Sequence, residues 1–327
     1  MPEINPALEN VGTGFAAFLS PPGPEVIRFT VGQPDFDTPL PVVEEAKAAL
    51  DRGETAYTRT QGSVELCQAV AEHLIIHNIK ANPDDVVVTP GCKQAVLYAM
   101  MATLEADDEV LLLSPAWPSY DGMLKLLNCV PVHVPVRRDN YHPDFNALEA
   151  AVTSKTKAIM LNSPNNPTGA VYTPEEIQQL LDFATKHDLW IIDDMIYATL
   201  AWTDYPYTSP SSLPGGAERT ITIGGWSKGW AMTGWRLGWI TGPKRVMDGV
   251  KKVNVSAATH VATFMMPAAT VALGLKEETA MMAASFKERR GIIHKLLMDL
   301  PGVIVPEPEG AFYALCDIKG TGMSDIE

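Results

Sequence analysis

A short apolar stretch, residues 224–240 (GGWSKGWAMTGWRLGWI), holds one lysine and one arginine, Lys228 and Arg236. A solvated loop would carry more charge and a core segment would carry none. The two cations therefore predict an anionic ligand in a mostly dry site. A lysine whose pKa is lowered by an apolar site is a nucleophile that forms a Schiff base with a carbonyl, and an arginine can hold a phosphate through two parallel hydrogen bonds.

Further residues able to bind a ligand lie at the ends of predicted strands elsewhere in the chain. The strands are VVVTP, LLLS, IMLNS, WIID and TITIGG. The residues that end or follow them are Gly91, Cys92, Lys93, Trp117, Asn166, Asp194, Tyr197, Ser227 and Lys228. In an open α/β sheet, ligands bind at the carboxyl ends of the strands, so we predict that these residues converge on one site.

The chemistry of these residues indicates one kind of ligand. The backbone N–H groups of TPGCK, at the start of a predicted helix, form a phosphate-binding element. The Trp117 indole offers a flat face for a ring, and the Asp194 carboxylate can hold a protonated ring nitrogen. Tyr197 and Asn166 offer hydrogen bonds to a phenolate oxygen. A flat ring with a basic nitrogen, a phenolate, a phosphate and an aldehyde describes pyridoxal phosphate.

Alternating strand-like and helix-like segments must position these residues. Such alternation predicts an α/β fold with a mainly parallel sheet that is covered on both faces. One helix is predicted to end at Gly53, and others to begin after Ser63 and after Thr173, the last with a capping box completed by Glu176. Residues 261–275 are predicted to form a buried helix, and VPVHVPV a buried strand.

The composition argues against several classes of partner. With 327 residues, of which 46% are hydrophobic and 20% charged, the chain is predicted to form one large α/β domain and a smaller one. Its 25 Lys and Arg against 39 Asp and Glu give a net charge of -14. Such a surface repels nucleic acid and anionic lipid, so we expect neither a nucleic acid nor a membrane as a partner.

The cysteines and histidines do not indicate a metal site. The cysteines, which form no CxxC pair, are Cys67, Cys92, Cys129 and Cys316. We expect them to be reduced in the cytoplasm, since the N-terminal residues also lack the pattern of a signal peptide. His73 and His77 lie four residues apart on a predicted helix without a third ligand, so they are predicted to be solvated or to face a partner subunit.

The motifs and their order resemble those of a known family. GGWSKGWAMTGWRLGW is similar to the cofactor-lysine signature of class I/II pyridoxal-phosphate-dependent aminotransferases of fold type I, and SPNNPTG, DDMIY, VGQPDFDTP, YTRTQGSVELCQAV and PEGAFY match that family too. The resemblance covers nearly the whole chain. It implies a mainly parallel seven-stranded sheet flanked by helices in a large cofactor-binding domain, residues 36–275. A smaller α+β domain would combine residues 1–35 with the start of a C-terminal part, residues 276–327.

The resemblance implies a role for each candidate residue. Lys228 would carry the cofactor as a Schiff base and move a proton during transamination between an amino acid and a 2-oxo acid. Asp194 would pair with the ring nitrogen, Tyr197 and Asn166 would contact the phenolate oxygen, and Trp117 would stack on the ring. The residues implied to bind the phosphate are Gly91, Cys92, Lys93 and Arg236, with Ser227 as a further cofactor contact.

Substrate and partner contacts follow from the same resemblance. Gly32, together with Trp117 and Asn166, is implied to line the substrate site. Tyr57 corresponds to a tyrosine that reaches the cofactor phosphate of the neighbouring subunit, which implies a homodimer with shared sites.

Two departures from the family pattern stand out. Many relatives carry a serine three residues before the lysine, where this chain has Gly225, so that phosphate contact is not expected here. Relatives also continue past the motif PEGAFY to an arginine that binds the substrate carboxylate. We therefore expect this sequence to be a C-terminally truncated member of the family with low turnover and a tendency to aggregate.

Two alternative functions stay open at this stage. A lyase that cleaves Cβ–Sγ bonds on the same cofactor shares nearly all of these residues. A homologue that binds the cofactor without catalysis is the other alternative, and the missing arginine is the feature in its favour.

Overall fold

The computed structural model describes residues 31–324 together with Leu8, Glu25 and Phe29. Most of the predicted N-terminal segment, residues 1–35, therefore lies outside the described residues. The strands are β1 (Val86–Thr89), β2 (Glu109–Ser114), β3 (Val130–Pro135), β4 (Thr156–Asn162), β5 (Trp190–Asp194), β6 (Thr220–Gly225) and β7 (Gly238–Thr241). The α-helices are α1 (Leu40–Asp51), α2 (Val64–Leu74), α3 (Cys92–Thr103), α4 (Ser119–Leu126), α5 (Phe145–Ala151), α6 (Pro174–Lys186), α7 (Lys244–Ala257), α8 (Met265–Gly274) and α9 (Lys276–Met298).

The strands form one sheet in the order β1-β7-β6-β5-β4-β2-β3. Strands β3, β2, β4, β5 and β6 pair in parallel, while β7 is antiparallel to both of its neighbours, β6 and β1. Strand β1 consequently runs in the same direction as β6. The predicted fold class, a mainly parallel seven-stranded sheet flanked by helices, is confirmed.

Helices cover both faces of the sheet because successive side chains along a buried strand point to opposite faces. In β5, Ile191 packs into the cluster formed with α5 and α6, and Ile192 packs into the cluster formed with α3, α4 and α7. Helices α1, α2 and α8 form a third cluster around Trp226 and Trp239, near the antiparallel end of the sheet. The continuous apolar runs of the central strands thus reflect burial on both sides.

Local capping signals in the sequence are confirmed where they were predicted. The Ser63 side chain accepts a hydrogen bond from Leu66 N at 3.1 Å at the start of α2. Helix α6 begins with a complete capping box between Thr173 and Glu176. Gly53 follows α1 with a φ of 76°, a left-handed conformation that glycine adopts without steric cost.

Two predicted elements differ from the structure. Strand β3 is an edge strand, so Val130 is 42% exposed and the prediction of a buried strand is wrong. Helix α8 begins at Met265, four residues later than the apolar run suggested, because residues 261–264 form a turn before it. Hydrophobicity alone does not distinguish a helix from the chain that leads into it.

The histidine pair on α2 and the turn after it is packed against other side chains, so the prediction of a solvated pair is wrong, while the alternative that it faces a partner subunit stays a prediction. The His73 ring packs against Trp230 with 5.3 Å between ring centroids, and the His77 ring packs against Tyr207 at 5.1 Å. Burial lowers the pKa of each histidine to about 4, so both are neutral at physiological pH. The pair belongs to the packing of α2 and the turn after it against the loops that follow β5 and β6.

No helix in the described part of the chain combines the length and the apolarity that crossing a membrane requires.

Helix α7 allows a direct test of the packing on one face of the sheet. Val250 is fully buried in the cluster with α3, whereas Val255 on the same helix is 51% exposed. We expect Val250→Ala to lower the free energy of unfolding by roughly 1–3 kcal/mol, since it removes two buried methyl groups and leaves a cavity. Thermal unfolding of both variants measures the difference. Val255→Ala is the matched control and should stay within about 0.5 kcal/mol of the wild type.

Candidate active site

The candidate residues meet at one edge of the sheet. Strands β4, β5 and β6 are parallel and end at this edge, and β1 ends there as well because β7 reverses direction between them. Strand β7 begins at the same edge, so the residues just before it, including Arg236, lie beside the ends of β1 and β6. The sheet topology thus brings together loops that are far apart in the sequence.

Lys228 lies in the loop after β6 and is largely buried. Its Nζ donates a hydrogen bond to the carbonyl oxygen of Gly32 and lies 5.7 Å from the centroid of the Phe312 ring. Burial, together with the positive charge of Arg236, lowers the pKa of Lys228 to about 8, while Asp194 opposes the shift. About a tenth of this amine is therefore neutral and nucleophilic at pH 7, far more than of an ordinary lysine.

Asp194 ends β5 and is 3% exposed. Its carboxylate accepts hydrogen bonds from the Tyr120 hydroxyl at 2.8 Å and from Ile196 N at 3.3 Å, while Asn162 donates to its backbone oxygen at 2.8 Å. Burial raises the pKa of Asp194 to about 6 despite the hydrogen bonds and the charge of Lys228. The site holds a carboxylate that gains stability from a nearby cation.

Its neighbour Asp193 points to a different environment. This side chain is fully buried and accepts hydrogen bonds from the hydroxyls of Ser209 and Tyr207. Burial raises the pKa of Asp193 to about 7. Asp193 therefore has a structural role, since its partners Ser209 and Tyr207 belong to a loop that follows β5.

Three polar side chains form a hydrogen-bonded group beside Lys228 and Asp194. Asn166 Nδ2 donates to the Tyr197 hydroxyl at 3.4 Å and to the Tyr313 hydroxyl at 3.3 Å. The two hydroxyls lie 2.7 Å apart. Burial raises the pKa of both tyrosines, so both remain protonated and can donate to an anionic oxygen.

The start of α3, with Lys93, and Arg236 form the positively charged part of the site. Gly91 precedes the helix, whose first backbone N–H groups have no partner within the helix and carry its positive dipole end. Burial and the charge of Arg236 both lower the pKa of Lys93, which indicates that the two cations face the same region. Arg236 also donates to the backbone oxygen of Thr233 at 3.0 Å.

Glycine at position 225 is explained by the close approach of Cys92. A Cβ atom on Gly225 would lie 2.6 Å from Cys92 Sγ and 2.8 Å from Gly238 Cα. The thiol itself donates to the carbonyl oxygen of Gly224 at 2.9 Å. The space that a side chain at position 225 needs is therefore taken by Cys92, and this accounts for the departure from the serine of the family pattern.

The remaining candidate residues, Trp117, Ser227 and Tyr57, differ in how far they are buried and in which side chains they contact. Trp117 is partly buried, packs edge on against Tyr120 at 5.2 Å, and has Lys93 Nζ 5.1 Å from its ring. Ser227 is 8% exposed, next to Lys228. Tyr57 is 90% exposed and its ring contacts His260, so within the described residues it faces outward.

Tyr120 and Tyr313 are site residues to which the sequence interpretation assigned no role. Tyr120 lies on the first turn of the helix that follows β2, three residues after Trp117. A tyrosine so soon after the end of a strand was the only feature of the sequence that could have indicated a place in the site. Tyr313 belongs to the motif PEGAFY, but its contact with Tyr197 joins residues 116 apart. Neither contact follows from local sequence.

Comparison with known proteins identifies related sequences. The family model for aminotransferase class I and II matches residues 24–326. The chain is 37% identical over 323 residues to a bifunctional aspartate aminotransferase and glutamate/aspartate-prephenate aminotransferase of Petunia hybrida, an alignment that covers 97% of this chain and 67% of that protein. It is 39% identical to aromatic-amino-acid aminotransferase 2 of Thermococcus litoralis, with 92% of this chain and 79% of that protein covered.

Solved structures agree in overall fold. The aspartate aminotransferase of Rhizobium meliloti superposes with a TM-score of 0.92 at 32% identity and covers 98% of this chain and 83% of that one. An aromatic aminotransferase of Pyrococcus horikoshii OT3 gives a TM-score of 0.86 at 39% identity, with 90% and 80% covered. At these identities the likeness extends beyond fold to family.

The buried carboxylate of Asp194 generates a prediction for the protein without ligand. The pKa of Asp194 in the fold, about 6, lies above the ordinary value near 4, so ionised Asp194 destabilises the fold at pH 8 and this penalty fades as the pH falls through 6. We expect Asp194→Asn to raise the free energy of unfolding at pH 8 by about 1–3 kcal/mol and to raise it less at pH 5.

Denaturant unfolding at both pH values measures this change. Asp188→Asn is the matched control, because the Asp188 side chain is 99% exposed. A gain in stability of equal size at pH 5 and pH 8 would contradict the assignment of the penalty to the Asp194 charge.

Proposed function

Since the chain belongs to the aminotransferase class I and II family and is an aminotransferase, we propose that it moves an amino group between an amino acid and a 2-oxo acid with pyridoxal phosphate held covalently on Lys228. The observation that carries the proposal is the buried Lys228 amine, whose pKa is lowered to about 8, in a pocket shared with Asp194. Among the described residues, no structural contact favours the lyase or the non-catalytic alternative over transamination.

The residues present fit this cofactor. Buried Asp194 has hydrogen-bond donors but, within the described residues, no cation at ion-pair distance, and a protonated ring nitrogen supplies one. The N-terminus of α3, Lys93 and Arg236 supply positive charge for a phosphate. Tyr197 and Asn166 supply donors for a phenolate oxygen. An amine of lowered pKa, a buried carboxylate and a group of cations near one edge of the sheet match the groups that the cofactor requires.

Each residue of the chain then has a defined task. Asp194 holds the ring nitrogen in its protonated form, and its own position is fixed by Tyr120 and by the backbone of Ile196. Trp117 lies beside Tyr120 and offers a face to the ring. Cys92 contributes its backbone N–H, since burial raises the pKa of its thiol and keeps it neutral. A Cβ atom on Gly91 would lie 2.5 Å from Arg236 Nη2 and one on Gly32 would collide with the Tyr313 hydroxyl, so the two glycines let these side chains reach the site. Ser227 is proposed as a further contact of the cofactor.

When bound, pyridoxal phosphate supplies an electron sink for the electrons left on the substrate Cα after its proton departs. The chain supplies the proton transfer. Once the substrate amine has displaced Lys228 from the cofactor, the freed Nζ in its neutral form would accept the proton that leaves the substrate Cα, and a base with a pKa of about 8 is well matched to this task near neutral pH. The hydroxyls of Tyr197 and Tyr313 stay protonated and orient the oxygen beside them.

We propose a dicarboxylic amino acid, with aspartate first, as the amino donor. The support is the names of relatives, which include aspartate aminotransferases of Musicola paradisiaca and Thermotoga maritima at 37% and 39% identity. A relative named for aromatic amino acids, from Thermococcus litoralis, is equally similar in sequence, so aromatic donors are the competing class.

We further propose a cytoplasmic homodimer in which Tyr57 of one subunit reaches the cofactor phosphate in the other. The support for the dimer is the outward exposure of Tyr57, which is 90% exposed and so is available to a second subunit. The support for the cytoplasm is that the four cysteines are unpaired, as expected in a reducing compartment. Sedimentation of the purified protein tests the dimer, and a monomer at micromolar concentration would contradict it.

Lys228 is tested by covalent trapping. We expect protein loaded with pyridoxal phosphate and reduced with borohydride to retain the cofactor mass on the peptide that contains Lys228. Lys228→Ala should lose this label, because the variant lacks the largely buried amine whose lowered pKa makes it nucleophilic. Peptide mass spectrometry gives the result. Lys47→Ala, at an exposed lysine paired with Glu44, is the control and should keep full labelling; a label on Lys93 in the wild type would refute the assignment.

The donor class is tested by a panel of amino acids with 2-oxoglutarate as acceptor. We expect kcat/KM for aspartate to exceed that for phenylalanine and alanine by at least about tenfold, a difference of about 1.4 kcal/mol in transition-state binding. Oxo acid formed from each donor is measured by a coupled assay. Higher kcat/KM for aromatic donors would reject the dicarboxylic assignment and leave transamination itself intact.

A further inference from the structure

A histidine outside the cofactor pocket lies between two carboxylates from distant parts of the chain. His142 is 5% exposed. Its Nδ1 lies 2.6 Å from Glu176 Oε2, and its Nε2 lies 2.8 Å from Glu309 Oε2. Both ring nitrogens face acceptor oxygens, so both carry a proton and the ring is an imidazolium. Burial by itself lowers the pKa of His142, but the two carboxylates outweigh it and raise the pKa to about 9.

The two carboxylates are not held equally. Glu176, at the third position of α6, also accepts from Arg137 Nη2 at 2.5 Å and from Thr173 N at 3.0 Å, and its side chain is 11% exposed. Among the described residues, Glu309 has one other hydrogen-bond donor, Val171 N at 2.9 Å, and its side chain is 35% exposed. Glu309 is therefore the partner that depends on the imidazolium.

The remaining groups around His142 do not replace its charge. The Tyr172 ring packs edge on at 5.7 Å, and burial raises the pKa of its hydroxyl, so it stays neutral. Burial and the charge of Glu309 likewise raise the pKa of Tyr205, whose hydroxyl donates to Val171 O at 2.6 Å. Arg137 is the nearby cation, and its bond is to Glu176.

Glu309 begins a short segment that leads directly into the cofactor pocket. The backbone N–H groups of Glu309 and Gly310 donate to Gly169 O at 2.9 and 2.8 Å, and Ala311 N donates to Leu200 O at 2.8 Å. Two residues after Ala311, the Tyr313 hydroxyl meets Tyr197 and Asn166. The contacts of Glu309 therefore help to set where the Tyr313 hydroxyl lies.

We propose that His142 is a positioning residue for transamination: its imidazolium holds Glu309 and, through residues 309–313, fixes the Tyr313 hydroxyl against Tyr197 and Asn166. This inference rests on the proposed function, because Tyr313 matters only if the pocket holds the cofactor. The contacts of His142 with Glu176 and Glu309 do not depend on the cofactor. Neither carboxylate belongs to the pocket, so the effect of His142 travels through the backbone of this segment.

The arrangement has a defined pH dependence. An unfolded histidine titrates near pH 6.5, whereas His142 in the fold titrates near 9. Its stabilising contribution is therefore complete below about pH 6.5, declines as the pH rises, and is lost above about pH 9. As the pH rises, the more exposed Glu309 is expected to lose its contact with His142 before Glu176 does.

The test compares His142→Gln and Glu309→Gln with His187→Gln. Glutamine at position 142 keeps a polar group but carries no charge. His187 contacts Glu149 at 3.1 Å on the surface, away from residues 309–313, and serves as the matched control. Two quantities are measured from pH 6 to 10: amide hydrogen exchange of residues 310–313 in the cofactor-free protein, corrected for intrinsic rates, and kcat and KM of the loaded enzyme.

We expect exchange at residues 310–313 in His142→Gln to be about tenfold faster or more at pH 7, as the loss of a charged hydrogen bond implies. The wild type should show a rise in corrected exchange near pH 9 that His142→Gln lacks. We also expect kcat of His142→Gln to fall severalfold at pH 7, with the pH profile losing its alkaline limb near 9. Glu309→Gln keeps an acceptor oxygen and should show the same changes to a smaller extent, and it carries the test if His142→Gln does not fold.

Unchanged exchange in both variants would overturn the proposal. Faster exchange without any change in kcat, KM or the pH profile would overturn the positioning role. If the wild type binds no pyridoxal phosphate, the proposed function and the role of Tyr313 both fail, and the exchange difference between His142→Gln and His187→Gln still reports whether the contact exists.

Discussion

The site depends on keeping the Asp194 carboxylate out of water while leaving it without a full counter-charge. Burial raises the pKa of Asp194 to about 6, and its hydrogen bonds from Tyr120 and Ile196 only partly offset the cost of ionisation. The same dry surroundings lower the pKa of Lys228. One constraint, desolvation at the carboxyl edge of the sheet, thus produces both a carboxylate that favours a cationic partner and an amine that is reactive near neutral pH. The stability of the surrounding sheet sustains a locally unfavourable arrangement, as is common at functional sites.

Close backbone approach is the second requirement of this edge. Cys92 begins α3 with its thiol against Gly225, and Gly238 lies so near that a Cβ would be 2.5 Å from Cys92 N. The N-terminus of α3 and Arg236 lie next to each other only because β1, β7 and β6 are packed this tightly. A side chain at either glycine would push α3 away from the sheet, and the helix dipole and the guanidinium would no longer act on the same ligand.

The residues 308–313 connect the pocket to the outer part of the fold. They lie alongside the loop after β4. Pro308 packs so closely on Gly169 in this loop that a Cβ atom at position 169 would lie 2.8 Å from the Cβ of Pro308. Phe312 and Phe286 of α9 pack with 5.0 Å between ring centroids, and Phe286 packs in turn on Phe36 at 5.5 Å. Apolar packing on one side and the His142–Glu309 contact on the other restrain the same short stretch, so its conformation is set by groups that do not touch the ligand.

The sequence by itself determined the features that depend on a few neighbouring residues. The caps at Ser63 and Thr173 complete within one helical turn, and alternation of strands with helices is enough to indicate a sheet whose carboxyl edge collects Lys228 and Asp194. Only the tertiary structure decided that β3 lies at an edge, that His73 and His77 are packed rather than solvated, and that Tyr120 meets Asp194 across 74 residues. The Glu309 contact with His142 spans 167 residues and was equally invisible. Burial, and with it the pKa of a side chain, is a property of what the rest of the chain packs around it, and no local pattern encodes which distant segment that will be.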